Sequence, residues 1–153
     1  MGKQSYQQHK QNRNSNYNEE IKRKVASLVK DFLNGSYQTK AEIIRKKLQE
    51  EIVEAMKNEG KNKPSKHQIR RYYHYLLEVA EESSKSAAMK IALVKAYINY
   101  DANRNQIKSR YFKAFIEEIV DNILSEKDSE KILNKLKDSL VLFEALVGYT
   151  ADF

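Results

Sequence analysis

Nine consecutive residues, Lys66-His67-Gln68-Ile69-Arg70-Arg71-Tyr72-Tyr73-His74, hold the densest chemistry of the chain. Wound as a helix, Ile69, Tyr73, Leu76 and Ala80 fall on one apolar stripe, with Leu77 beside it. Lys66, Arg70 and His74 fall on a second line, and His67 with Arg71 lies next to it. A helix held by its stripe would therefore project a row of cations. Arginine suits phosphate because its planar fork donates two hydrogen bonds at once and sheds water easily. The helix N-terminus adds free amides and a partial positive charge. The competing reading is a solvated face whose arginines pair with Glu78, Glu81 or Glu82, and composition alone leaves both open.

A second basic set, Lys90, Lys95, Arg104, Lys108 and Arg110, surrounds Tyr97 and Tyr100. Tyrosines among cations can stack on nucleobases. At helical spacing they more often pack in a core with the hydroxyl reaching out. Core positions are expected for Tyr97 and Tyr100, and phosphate contacts for Lys95 and Arg104.

Catalytic arrangements are not expected. The three histidines, His9, His67 and His74, lack the compact spacing of a metal pair. The four glycines, Gly2, Gly35, Gly60 and Gly148, form no phosphate-cradling loop and no nucleophile elbow. The acid pairs Glu50/Glu51, Glu81/Glu82 and Glu117/Glu118 are adjacent, so on a helix they diverge rather than converge. Without cysteine there is no disulfide, thiolate metal site or cysteine nucleophile. No cofactor and no metal is expected.

The elements that must position these groups read as helices. Residues 1–18 are polar and without apolar periodicity, and predict a disordered tail whose cations are Lys3, Lys10 and Arg13. Residues 19–153 predict a single helical domain. Ile21, Val25, Leu28, Val29 and Phe32 mark a first helix that stops at Gly35. A second runs from about Lys40 to Glu59 with Ile44, Leu48, Ile52, Ala55 and Met56 inside, and Gly60 closes it. Pro64-Ser65 opens a third, where Ser65 and Gln68 have the form of a capping box; Ser83 and Ser84 interrupt it. A fourth, about Ser86 to Arg104, is apolar on nearly every face and is expected to be central and buried. A fifth starts near Ser109, and a sixth is capped by Asp128 or Ser129. The prediction is all-α: a compact bundle of about five or six helices.

Charge is uneven along the chain. The formal net charge is +7; residues 66–110 carry nine basic and four acidic groups, and residues 111–153 carry five and nine. A basic middle points to a polyanion, and an acidic end to a basic neighbour. The opening residues lack the apolar core of a signal peptide, the myristoylation pattern fails at Tyr6, and no apolar run approaches a membrane span. A cytoplasmic location is expected.

Three motifs in order carry a resemblance. Gln68-Ile69-Arg70-Arg71-Tyr72-Tyr73 follows a Pro-Ser helix start; Lys95-Ala96-Tyr97 precedes Arg104; Phe143-Glu144-Ala145-Leu146-Val147-Gly148-Tyr149 ends the chain's periodic part. Over about residues 64–150 the chain resembles the small helical subunit of type III-A (Csm-type) CRISPR effector complexes. The tail and the Tyr72-Tyr73 pair depart from that pattern. The resemblance implies a non-catalytic subunit present in several copies, self-associating beside other subunits of the complex, and helping to hold crRNA and target RNA. Base pairing then supplies sequence specificity, and the protein needs only the backbone. Lys66, Gln68, Arg70, Arg71, Lys95, Arg104 and Lys108 are the expected RNA-binding residues. The alternatives are a DNA-binding regulator, which would prefer particular duplexes, and a helical adaptor that binds only protein.

Overall fold

The computed structural model describes residues 2–82 and 85–153, with side chains from residue 16 onward. Helix α1 spans Gly2–Asn34, α2 Tyr37–Glu42, α3 Glu54–Asn58, α4 Lys66–Glu82, α5 Ala87–Asn103, α6 Arg110–Leu124 and α7 Ser129–Tyr149. A π-helical stretch, Ile43–Val53, joins α2 to α3 without leaving the right-handed helical region, so 37–58 is one rod. The described residues thus form six rods and no strand. Helix α1 passes unbroken through residue 18, where the sequence suggests a boundary. The expected tail falls mostly on residues whose side chains lie outside the described ones, as do His9, Lys3, Lys10 and Arg13. The expected break at Ser83 and Ser84 also lies outside them.

The rods end where local chemistry stops them. After Asn34 the chain turns at Gly35, where a Cβ would stand 2.6 Å from the Asp31 carbonyl oxygen. Ser36 then caps α2 by accepting from the Thr39 amide. In the π stretch the Glu54 amide donates to the Gln49 carbonyl, five residues back. That wider winding explains why Ile43, Leu48, Ile52 and Val53 are the buried positions, and why Ile44 is only half-buried. Gly60 closes α3 at φ +63°, a conformation glycine alone takes freely. The capping box forms as expected: the Ser65 amide donates to Gln68 Oε1 and the Gln68 amide to Ser65 Oγ, each at 3.1 Å.

Helix α6 holds the centre. It packs against α1, α5 and α7, and α4 lies across α7 and beside α5. Phe112, Phe115, Ile116, Ile119, Val120 and Ile123 on α6 are all fully buried. The Phe143 ring on α7 meets Tyr73, Phe112 and Phe115 at centroid distances of 5.6, 6.3 and 5.4 Å. Two expectations are corrected. Helix α5 is not central: Ala87, Ile91, Val94 and Ile98 are buried, while Met89 is 62%, Leu93 42%, Tyr97 43% and Tyr100 57% exposed. It covers α6 from outside, so only one flank finds neighbours, and Tyr97 and Tyr100 are surface residues. On α4 the buried stripe is Ile69, Tyr72, Leu76 and Val79, with Tyr73 half-buried at its edge.

One carboxylate locks the start of α6. Ser109 caps it by accepting from the Phe112 amide at 3.0 Å and donates its own hydroxyl to Glu59. Glu59 Oε2 also accepts from the Arg110 amide at 2.9 Å. Burial raises the Glu59 carboxyl above its ordinary range, against these hydrogen bonds, which favour the anion. Glu59→Ala strips the carboxylate from the end of α6 and is expected to lower stability by about 1–3 kcal/mol; a urea melt checks this.

Candidate nucleic-acid interface

Helices α4 and α5 run antiparallel, and their polar contacts set the register. Gln68 Nε2 donates to the Gln106 carbonyl oxygen, Arg71 meets Asp101, the Tyr75 and Tyr97 rings approach to 5.4 Å, and Glu82 pairs with Lys90. The first turns of α4 therefore lie against the end of α5. Lys66, Arg70, Arg71, Arg104 and Lys108 gather at this end of the pair, all exposed.

Asp101 is the node of that corner. Its Oδ2 accepts the Tyr72 hydroxyl at 2.6 Å and an Arg71 guanidinium nitrogen at 3.3 Å. Burial and the neighbouring carboxylate push the Tyr72 hydroxyl well above its ordinary range, so it stays a donor. The Asp101 carbonyl accepts from the Gln106 and Ile107 amides at 2.9 and 3.2 Å. The Gln106 bond reaches back from beyond the helix end, and Asn105 takes φ +59° to allow it, a left-handed helix stop with asparagine in the usual glycine place. Side chain and main chain of one residue thus hold α4, α5 and the following turn together.

The expected site residues divide. Among the described residues, Lys66, Arg70, Arg104 and Lys108 have no acidic partner within ion-pair distance. Arg71 has Asp101, although about half of its side chain faces solvent. The arginines do not pair with Glu78, Glu81 or Glu82 among the described residues; the acid that engages Arg71 sits on the neighbouring helix. Gln68 spends both ends of its amide inside the chain, on Ser65 and Gln106. Lys95 stands apart from the rest, on the flank of α5 that faces α6. It donates to both Asp121 oxygens at 2.8 and 3.0 Å, and that bond raises its pKa above the usual lysine value. Arg104 donates to the Tyr100 hydroxyl and lies 5.2 Å from that ring centroid. The arrangement offers a basic corner with two exposed aromatic rings, which suits a phosphodiester backbone and its bases.

The Csm2 Type III-A family model matches residues 45–151. The chain belongs to the Csm2 Type III-A family. Comparison with curated proteins and with solved structures finds no match. The family match makes the chain a small subunit of a type III-A CRISPR complex, associated with other Csm subunits. The matched span enters within the π stretch and takes in all of α4, α5 and α6. The basic corner lies wholly inside it; helix α1 lies before it.

In this Csm2-family chain Asp101 belongs to none of the sequence motifs, although it is the only carboxylate between Glu82 and Glu117. A lone acid in a basic stretch was the available signal. The acid pair Glu117/Glu118, within the acidic end of the chain, is not a free pair. Glu117 meets Lys113 at 3.5 Å, and Glu118 is buried. Burial raises the Glu118 carboxyl pKa, with Lys22 pulling the other way. The folded state therefore holds that proton more tightly than the unfolded chain does. Ionisation above the ordinary carboxylate range costs stability, and the cost grows until pH passes the raised folded value. Glu118→Gln is expected to raise the Tm by a few degrees at neutral pH, with no gain below about pH 4; thermal melts across pH check the sign. No helix among the described residues is long and apolar enough to cross a membrane.

Proposed function

We propose that the chain is a non-catalytic, cytoplasmic subunit that grips the backbone of crRNA and target RNA without reading their sequence, in several self-associating copies. The observation that carries the reading is the pair Lys66 and Arg70, exposed one helical turn apart with no acid in reach among the described residues. Cations left unpaired at a surface are available to phosphate, and these two stand beside further exposed cations. Arg71, Arg104 and Lys108 frame the same corner. Gln68 and Lys95 contribute by fixing α4 and by joining α5 to α6.

Filter binding over a salt series tests this. The expected result is a log-linear loss of affinity with salt and equal affinity for unrelated RNAs of one length. Strong preference for one duplex sequence would indicate a regulator instead. A second reading, an adaptor that binds only protein, draws on the exposed Met89 and Leu93 of α5. It predicts no RNA retention even at low salt, which the same series reads out.

A further inference from the structure

A groove of about 570 Å³ opens between α1, the turn joining α5 to α6, and the first turns of α6. That volume lies within the range of small-molecule sites, far more than a lone anion needs. Four cations line it, Lys22, Lys108, Arg110 and Lys113, against two acids, Glu117 and Glu118. Glu117 is engaged by Lys113, and Arg110 lies 5.2 Å from the Tyr17 ring centroid. Lys22 and Lys108 have no ion pair among the described residues.

The rest of the wall is polar in a particular way. Asn18, Asn62, Asn103 and Asn105 line it, and none makes a side-chain hydrogen bond among the described residues. Each amide presents both donors and an acceptor, the complement of a base edge or a ribose. Asn105 is fixed there by its left-handed backbone. Glu118 lines the same groove. Its carboxylate makes no hydrogen bond among the described residues, yet no buried side-chain oxygen there lacks a partner, so it opens to the groove. A bare phosphate beside that carboxylate would be repelled; a ligand carrying hydroxyl or amino donors as well as a phosphate would satisfy both.

We infer that this groove binds one nucleotide unit of an RNA strand, its phosphate on Lys108 and Arg110, its sugar or base on the asparagine amides and Glu118. The inference rests on the proposed RNA-binding function and extends it: the turn 104–108 that ends the basic corner is also the rim of the groove. A strand passing Lys66 and Arg70 would reach Lys108 and turn one residue in.

The test uses the full chain, labelled with nitrogen-15, titrated separately with uridine monophosphate, inorganic phosphate and a single-stranded RNA oligonucleotide. Side-chain amide signals of Asn62, Asn103 and Asn105 should shift with the nucleotide and with RNA but not with phosphate, and RNA should saturate them at a concentration at least tenfold lower. Lys108→Glu should raise the concentration needed by about tenfold, the loss of one charged contact. Asn103→Leu, an exposed position, should weaken nucleotide binding without changing the fold's amide pattern. Equal shifts from phosphate alone would reduce the groove to an anion site and overturn the inference. Saturation by the free nucleotide as low as by RNA would reassign it to a free nucleotide. No shift with either ligand, while Arg70→Glu still weakens RNA binding, would remove the groove and leave the proposed function standing.

Discussion

Lys66→Glu combined with Arg70→Glu is expected to weaken RNA binding roughly 10- to 100-fold at physiological salt, by the same factor for every sequence. Both side chains are exposed and free of acidic partners among the described residues, so reversal removes two phosphate contacts and adds two repulsions without breaking an internal pair. The slope of log affinity against log salt should fall by about 1–2 for two lost contacts. Helicity and Tm should stay unchanged, which circular dichroism reads. Arg71→Glu is a poorer probe, because it sets a second carboxylate against Asp101 and mixes lost binding with lost stability. Unchanged affinity in the double variant would take α4 out of the interface.

Phe143→Ala is expected to cost about 3–5 kcal/mol, the range for deleting a buried aromatic ring. In a chain of this length that lowers the Tm by roughly 10 °C or more. Phe143 is fully buried, and its ring is shared by α4 through Tyr73 and by α6 through Phe112 and Phe115. No neighbour can close the space without moving one of those helices. Thermal denaturation checks the figure; a drop of only a few degrees would mean that the cluster collapses into the void.

What was legible in the sequence was local. Ser65 and Gln68 sit three apart at a helix start, and their reciprocal bonds need no other part of the chain. Gly60 and the caps Ser109 and Asp128 are of the same kind. The misjudged features depend on neighbours distant in sequence. Helix α5 is apolar on nearly every face, a pattern that says its residues tolerate burial but not which helix covers them; α6 and α4 cover one flank, and Tyr97 and Tyr100 are left outside. Lys95 looked free because Asp121 lies 26 residues away. Tyr72 and Tyr73 are adjacent candidates for one stripe, and Asp101 decides between them by taking the Tyr72 hydroxyl. The second rod was mis-phased at Ile43 and Ile44 because a π winding leaves no familiar period to read.

The corner around Asp101 is fastened by exposed and half-buried hydrogen bonds, whereas Phe143 is fastened by rings packed inside the core. Its amides should exchange with solvent earlier than those beside Phe143. Under the proposed function, a strand that bridges Lys66 and Arg104 would tie the start of α4 to the end of α5, and that exchange should slow when RNA is bound.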